Sequence, residues 1–398
     1  MNRPSCEVAD IIRAAGDNFI EKQRSWLTGL HRKVLSAIER CRTAALGGHR
    51  DRCSRCGYTT KAISYNSCRN RNCPKCLNNA RKRWLAAREK ELLPVPYVHL
   101  VFTLPHVLVP LFLHNKKLLY ALLLRSSAAT LLEVARNPEH LGAKIGFFTV
   151  LHTWGQNLLA HPHVHCVIPA GGLSPDHKTW IQPRYRFFLP KGVLSLVFRG
   201  KFITGLKRAF RQGELCLPGD LRTLGDEKEF RSFLRTLHRH RWVVYSKPPF
   251  GGPQYLLNYL ARYTHRVAIS NHRLVNLAEG KVTFRWKDYA HGGQQKLMTL
   301  TADEFLRRFL LHIVPRGFVR IRSFGFLANR RRKTLLPICK QLLGAKPEET
   351  ASEDSAVWEK QSSWLCPHCR GEMVVIQRLT AQQIFEESLK EEPMNNTS

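Results

Sequence analysis

Apolar residues recur at near-helical intervals through the first 40 residues, so this segment is predicted to form amphipathic helices. From residue 97 onward, compact apolar runs that predict strands alternate with longer segments of helical spacing. Strands are predicted over 97–104, 146–154, 163–170 and 241–245, and helices over 116–136, 196–211, 226–240, 254–264 and 302–312. Residues 272–288 predict a hairpin that turns at Glu279 and Gly280. This mixture predicts an α+β fold with a largely antiparallel sheet.

The same pattern divides the 398 residues into three predicted regions. Residues 1–93 hold the N-terminal helices, a cysteine-rich block and a basic helix, and residues 94–342 hold the mixed helices and strands. Residues 343–398 form a polar, acidic linker and tail. A chain of this length can hold two or three domains and bury a large core.

The chain is strongly basic, with 63 Lys and Arg against 30 Asp and Glu and a formal net charge of +33. Such a charge also suits solubility or binding to anionic membranes, but with the motifs described below it favours DNA as the partner. No apolar run approaches the length of a membrane span, and the N-terminus lacks a signal-peptide core. We therefore expect a cytoplasmic protein without a membrane partner.

The twelve cysteines of this chain are expected to be metal ligands rather than disulfides, because several come as C-x2-C pairs. Cys53 and Cys56 are followed, after 16 residues, by Cys73 and Cys76, which is the spacing of a four-thiolate zinc site. Four thiolates leave no open position on zinc. The predicted site is therefore structural.

The remaining cysteines leave alternatives open. Cys41 and Cys68, with His49, either complete a second zinc site or are small buried side chains. Cys366 and Cys369 form half a site that needs ligands from the core or from another chain, or else lie as thiols in a surface turn. Basic residues flank the block and favour a zinc module that binds DNA. The predicted DNA contacts here are Arg69, Arg71, Arg81, Lys82 and Arg83.

Three histidines at i, i+2 spacing lie in the predicted strand HPHVHCVIPA. On a strand, His161, His163 and His165 share one face, and a pair of such histidines can bind a metal once a third ligand arrives. Candidates for the third ligand are His161, Gln156 and His152, and spacing does not choose between them. The alternative is a cluster of structural histidines held by hydrogen bonds.

Two tyrosines, Tyr259 and Tyr263, have i, i+4 spacing and so emerge on one face of the predicted helix 254–264. Tyr255 extends the row, so an aromatic core stripe is the alternative to catalysis. Arg262 and Arg266 favour catalysis, because a nearby cation lowers the pKa of a phenol and holds a phosphate. A phenolate that attacks a phosphate beside a bound metal forms a covalent phosphotyrosine bond.

Five motifs occur in an order that resembles the rolling-circle transposases of the insertion sequence 91 family, two-tyrosine members of the HUH endonucleases. These motifs are GGH-x3-C-x2-CG, SCRNRNCPKC, HPHVHCVIPAGGLS, YLARYTHRVAISN and GFVRIRSFGFLANRRR. The resemblance spans roughly residues 41–333. One departure is Asn72, where the family usually has histidine.

The resemblance implies that His163 and His165 are metal ligands and that Tyr259 and Tyr263 are the two nucleophiles. It further implies a ferredoxin-like or RNA-recognition-motif-like HUH core behind an N-terminal zinc-binding module, with Mg²⁺ or Mn²⁺ as the catalytic cation and structural Zn²⁺. The expected activity is nicking and joining of single-stranded DNA at element ends and target sites, by a cytoplasmic, nucleoid-associated bacterial enzyme whose oligomeric state stays open. The alternatives are a plasmid or phage replication initiator with the same site, and a non-catalytic zinc DNA-binding regulator.

Overall fold

The structure is a computed structural model that describes residues 4–60, 62–76, 84–183, 188–246, 267–345 and 365–391. The α-helices for which the structure gives both bounds are α1 Val8–Lys22, α2 Gly29–Glu39, α3 Val109–His114, α4 Lys116–Arg136, α5 Lys191–Arg211, α6 Glu227–Arg239, α7 Ala302–Leu311, α8 Asn329–Leu342 and α9 Ala381–Glu391. Its strands are β1 Gly48–Cys53, β2 Ser64–Tyr65, β3 Tyr97–Thr103, β4 Gly146–Trp154, β5 Ala160–Pro169, β6 Gly172–Leu173, β7 Trp180–Ile181, β8 Val244–Ser246, β9 Leu274–Ala278, β10 Lys281–Asp288, β11 Gln294–Thr301, β12 Ile321–Gly325 and β13 Met373–Leu379.

A five-stranded sheet forms the centre of the region 94–342, in the order β12-β4-β5-β3-β8. Each neighbouring pair is antiparallel. The predicted α+β class with an antiparallel sheet is therefore confirmed. Along the chain the elements of this sheet follow the order β3–α3–α4–β4–β5–α5–α6–β8, with the short β6–β7 hairpin inserted after β5.

One face of this sheet is apolar and packs on helices. Because side chains alternate along a strand, Leu100, Phe102 and Val164 point to the same side and join a core that also contains Leu123 of α4 and Phe198 of α5. The opposite face of the sheet carries His152, His163 and His165. The apolar core therefore holds in place the strands that position these three histidines.

Helix α4 corrects one expectation from the sequence. Among the described residues it is the one helix long and apolar enough to cross a membrane, with 21 residues and a mean hydropathy of 1.5 in its most apolar window. The sequence was expected to contain no apolar segment as long as a membrane span, and for α4 that expectation is wrong. Two-thirds of that window is buried inside the protein, where Leu119, Leu123 and Leu131 pack in the sheet core.

The N-terminal helices share a second core with the later hairpin. Ile11 and Phe19 of α1 pack in one cluster with Phe284 of β10 and Phe305 of α7. The hairpin turns at Glu279 and Gly280, as predicted, and both have a positive φ, 50° and 69°. The apolar side chains of the N-terminal helices are thus buried against residues about 270 positions further along the chain.

A three-stranded sheet joins residues 373–379 to the N-terminal region, in the order β13-β1-β2. Strand β13 pairs antiparallel with β1 from Gly48 opposite Leu379 to Cys53 opposite Met373. Residues 365–391, which the sequence assigned to an acidic tail, therefore contribute a strand and a helix to the N-terminal region. Most of the predicted linker, residues 346–364, lies outside the described residues.

Candidate functional site

The histidine site is built by strand pairing. His152 of β4 lies directly opposite His163 of β5, and Val150 lies opposite His165. Residues opposite each other, and residues two apart on one strand, share a face of the sheet. His152, His163 and His165 therefore project from the same side.

Distances show that the three imidazoles form one group. Ring centroids lie 5.4 Å apart for His152 and His163, 4.4 Å for His152 and His165, and 4.9 Å for His163 and His165. One ring nitrogen from each lies within 4.8 Å of the others. His152 and His165 are buried, whereas His163 is half-buried, so the group opens toward solvent at His163.

Hydrogen bonds orient two of these rings. Nδ1 of His163 lies 2.7 Å from the carbonyl oxygen of His161, which fixes a proton on Nδ1 and directs the lone pair of Nε2 away. Nδ1 of His165 lies 2.8 Å from Nε2 of His99, and these two rings stack at 5.0 Å and 11°. A contact of this kind to the far nitrogen is typical of a histidine that binds a metal.

The protonation state also suits a cation. Desolvation lowers the pKa of His163 to about 4, with a smaller contribution from His161. The ring is therefore neutral at pH 7, as metal ligation requires. Three imidazoles fit a divalent first-row transition metal such as Mn²⁺ better than Mg²⁺, which prefers oxygen ligands.

Two of the predicted third ligands lie outside this group. His161 is exposed and Gln156 lies in the turn between β4 and β5, where its carbonyl accepts a hydrogen bond from Arg273. The register of β4 and β5 shifts between His152 and Trp154, so β5 carries an extra residue in that bulge. The bulge interrupts the alternation that was expected to bring His161 onto the face of His163. Of the three sequence candidates, His152 is the one whose ring lies together with those of His163 and His165.

His99 is a member of the site that the sequence analysis missed. It lies in β3, two residues before Val101, which pairs with His165. The side chain is 3% exposed. A polar residue inside the apolar run YVHLVFTL is the signal that marks it, as His152 is marked inside GFFTVLHTW.

The predicted nucleophiles Tyr259 and Tyr263 lie outside the described residues, together with Tyr255, Arg262 and Arg266. Arg81, Lys82 and Arg83 lie outside them as well. Arg69 is exposed, with φ of 51°. Arg71 is half-buried and donates to the carbonyl of Phe318 at 2.9 Å, and desolvation lowers its pKa. Arg71 therefore connects the cysteine block to the region 94–342, in which Phe318 lies.

The cysteines form two four-thiol groups, so the second zinc site that the sequence left open has a full set of thiols. Cys73 and Cys76 assemble with Cys41 and Cys68. The Sγ of Cys76 lies 3.4 Å from that of Cys41 and 3.6 Å from that of Cys68. All four belong to the N-terminal region, because Cys41 follows α2 directly and the other three lie in the loop 68–76.

Cys53 and Cys56 instead assemble with Cys366 and Cys369. The predicted grouping of Cys53 and Cys56 with Cys73 and Cys76 is therefore corrected. The reason is the path of β1, which carries Cys53 to the strand β13 and away from the loop 68–76. Amide hydrogen bonds, chiefly from Cys56 and also from Arg55, lower the pKa of Cys53 to about 6, which favours the thiolate that a metal binds.

Asn72 and His49 are not members of either group. Asn72 is buried, and its side-chain amide contacts Asn70 at 3.2 Å. His49 approaches Asp51 at 3.7 Å. Since four thiols already complete the group at Cys73, the departure of residue 72 from the family's histidine removes no ligand from it.

Comparisons with known proteins agree with these features. Residues 11–104 match a family model described as "Transposase zinc-binding domain", and residues 146–334 match one described as "Putative transposase". A Sinorhizobium fredii protein named "Putative transposase y4qJ" is 50% identical over 386 residues, which cover 95% of this chain and 96% of that protein. The transposase for insertion sequence element IS801 of Pseudomonas savastanoi pv. phaseolicola is 30% identical over 308 residues, covering 75% of this chain and 70% of its own length.

No solved structure gives a significant match to the chain. The family models and the relatives define the class of protein as a transposase, a DNA-processing enzyme, with an N-terminal zinc-binding domain. The chain belongs to the insertion sequence 91 family of transposases. Structural zinc is supported by that domain and by the cysteine groups.

Proposed function

We propose that this transposase nicks and joins single-stranded DNA through a 5′-phosphotyrosine intermediate during rolling-circle transposition. The observation that carries the proposal is the convergence of His152, His163 and His165 on one sheet face of a transposase. The proposed nucleophiles are Tyr259 and Tyr263, on the strength of the motif YLARYTHRVAISN.

The strand order supports the proposed HUH core. With α3 and α6 as additional helices in its two crossovers, the segment from β3 to β8 follows a βαββαβ order through α4 and α5, and its strands lie in the order β8-β3-β5-β4. This order is the one expected of the proposed ferredoxin-like core, and β12 extends the sheet at the β4 edge. The metal-binding histidines of such a core would then lie on the strands at its centre, on the face opposite the helices.

The three histidines are proposed to hold the catalytic cation, with His152 as the third ligand. A bound Mg²⁺ or Mn²⁺ supplies Lewis-acid polarisation of the scissile phosphate. The phenol of one tyrosine loses its proton as its oxygen attacks phosphorus, the bond to the 3′ oxygen breaks, and that oxygen takes up a proton, which leaves a 5′-phosphotyrosine and a 3′-hydroxyl. The phosphoester bond is conserved, so attack by a 3′-hydroxyl rejoins DNA and releases the tyrosine.

Two tyrosines at i, i+4 spacing would allow a second strand to be cut before the first end is released. The positive charge of the chain supports binding of the DNA backbone. We propose DNA contacts by Arg69, Arg71, Arg81, Lys82, Arg83, Arg262 and Arg266. Zinc on Cys41, Cys68, Cys73 and Cys76 would hold the cysteine block in shape, and the enzyme would work in the cytoplasm at the nucleoid.

Incubation of the full chain with single-stranded DNA from the element's own ends tests this function. We expect a covalent protein–DNA adduct on a denaturing gel when Mn²⁺ or Mg²⁺ is present and none after chelation. His163→Ala and His165→Ala should each abolish the adduct, while DNA binding stays within about twofold because it depends on the basic surface. Equal loss of binding and cleavage would mean that the histidines are structural and would contradict the proposal.

A further inference from the structure

We propose that Cys53, Cys56, Cys366 and Cys369 form a second structural zinc site, which fastens the C-terminal residues 365–391 to the N-terminal strand β1. The matched zinc-binding domain ends at residue 104 and so contains only half of these ligands. The proposal does not depend on the nicking reaction.

The sulfur positions fit one shared ion. Sγ of Cys53 lies 3.4 Å from Sγ of Cys369, Sγ of Cys56 lies 3.6 Å from Sγ of Cys366, and all four sulfurs lie within 4.8 Å of one another. A tetrahedron with Zn–S bonds of about 2.3 Å places its sulfurs about 3.8 Å apart. A disulfide bond of about 2.05 Å is much shorter than either contact. The geometry therefore favours four thiolates around zinc.

The first cysteine pair lies on a tight turn whose amides point at sulfur. The amide of Cys53 donates to the carbonyl of Tyr58 at 2.7 Å, and the carbonyl of Cys53 accepts from Gly57 at 3.1 Å. The amides of Arg55 and Cys56 donate to Sγ of Cys53 at 3.3 and 3.4 Å. Gly57 has φ of 72°, a left-handed conformation that suits glycine.

The second pair repeats this turn in another part of the chain. The amide of Cys366 donates to the carbonyl of Gly371 at 2.9 Å, and the amide of Arg370, at φ of 57°, donates to the carbonyl of Cys366 at 3.0 Å. The amides of His368 and Gly371 donate to Sγ of Cys366 and of Cys369, each at 3.4 Å. Two matching turns with amides aimed at sulfur stabilise negatively charged thiolates.

The two turns approach so closely that a side chain at Gly371 would not fit. A Cβ atom there would lie 2.8 Å from Cβ of Arg55, 3.1 Å from Sγ of Cys53 and 3.2 Å from Sγ of Cys369. Glycine at this position therefore permits the two C-x2-C turns to face each other. Cys53, Cys366 and Met373 are buried together at the contact.

Further contacts between the same segments support the site. The amide of Ser54 donates to the carbonyl of Glu372 at 2.9 Å, directly beyond the end of the β1–β13 ladder. Arg50 of β1 pairs with Glu387 of α9 at 2.9 Å. Cys56 and Cys366 are 310 positions apart, so ordering them costs chain entropy that metal coordination would offset.

Metal content and thiol reactivity of the full chain test the proposal. The wild-type protein should hold two zinc ions, and Cys366→Ser with Cys369→Ser should hold one. In that double variant, Cys53 and Cys56 should become alkylated by iodoacetamide at least tenfold faster, whereas Cys41, Cys68, Cys73 and Cys76 stay protected. Cys216→Ser is the matched control, because Cys216 is exposed and belongs to neither group, and it should keep both ions.

Two results would overturn the proposal. One is that the double variant holds as much zinc as the wild type. The other is that Cys53 and Cys56 stay protected from iodoacetamide in the double variant. That protection would be expected if Cys73 and Cys76, rather than Cys366 and Cys369, completed their zinc site. Nuclear magnetic resonance of wild-type protein loaded with ¹¹³Cd tests the same site without any substitution. One ¹¹³Cd signal should couple to the β-protons of both Cys53 and Cys366. A ¹¹³Cd signal that couples to the β-protons of both Cys53 and Cys73 would exclude the bridging site.

Discussion

Nε2 of His99 lies 2.8 Å from Nδ1 of His165, and the two buried rings stack almost parallel, at 11°. His99 is on β3, whereas His152 and His163 are on β4 and β5, so three neighbouring strands contribute to the histidine site. The contact fixes the ring of His165 with Nε2 turned toward the proposed cation. His99 is therefore a positioning residue in the proposed site.

Replacement of His99 should weaken cation binding without removing a ligand. We expect His99→Ala to lower Mn²⁺ affinity about 10-fold to 100-fold, the usual range for loss of a partner behind a metal ligand. His99→Gln keeps a hydrogen-bonding group and should recover most of the affinity. Titration with Mn²⁺, followed by electron paramagnetic resonance, measures both. Equal affinity in His99→Ala and the wild type would contradict the positioning role.

The third ligand can be identified by a matched set of variants. His152→Ala should abolish cation-dependent adduct formation, because its ring joins His163 and His165. His161→Ala and Gln156→Ala should keep activity within about threefold, since neither side chain belongs to the group. Each variant is assayed for the covalent adduct and for DNA binding. Loss of adduct in Gln156→Ala but not in His152→Ala would show that the ligand set is wrong.

The first cysteine group should contribute directly to folding. Cys73→Ser removes one of four buried or half-buried thiols and should release one zinc ion, with a stability loss of about 4 kcal/mol or more. Asn72→Ala should keep full zinc content, because the four thiols complete the site. Elemental analysis and urea unfolding measure these effects. Normal zinc content in a folded Cys73→Ser protein would exclude this ligand set.

His31 should make the fold sensitive to acid. Burial, and to a smaller extent the charge of Lys116, lower the pKa of His31 from 6.5 to about 4. Since the folded pKa lies below the unfolded value, the unfolded chain takes up the proton first as the pH falls. The contribution of His31 is fully present above about pH 6.5 and is lost as the pH falls toward 4, by about 3 kcal/mol in total at about 1.4 kcal/mol per pKa unit.

Unfolding by urea at several pH values between 7.5 and 4 measures this effect. His31→Gln should show a shallower loss of unfolding free energy than the wild type. His272→Gln, which alters an exposed imidazole, should keep the wild-type profile. Parallel profiles for the wild type and His31→Gln would contradict the assignment.

Local periodicity was enough to predict several elements. The helix 116–136 and the strand 146–154 have the predicted bounds, and the hairpin turns at Glu279 and Gly280. These elements have strong apolar patterns or a turn sequence of their own. Strands β11 and β13 and helix α8 were missed, and β11 and β13 are mostly exposed along their length. β11 is held by pairing with β10, and β13 by pairing with β1. The apolar pattern within a short exposed segment does not reveal such a pairing.

The candidate sites were predictable only in part, because their geometry is non-local. The pairs of cysteines are visible in the sequence, but the partner of Cys53 is Cys369, 316 positions away. His163 and His165 follow from strand alternation. The choice of His152 over His161 depends on the register of β4 and β5 and on a bulge, neither of which a single sequence specifies.

The central claim is tyrosine chemistry, and the double variant Tyr259→Phe, Tyr263→Phe tests it most directly. Phenylalanine keeps the ring and removes the nucleophilic oxygen. The measurement is covalent adduct on single-stranded DNA from the element's ends, resolved on a denaturing gel, with Tyr255→Phe as the matched control. We predict that the double variant folds, binds DNA and forms no adduct, while Tyr255→Phe forms it at nearly the wild-type level; abundant adduct from the double variant would contradict the two-tyrosine mechanism.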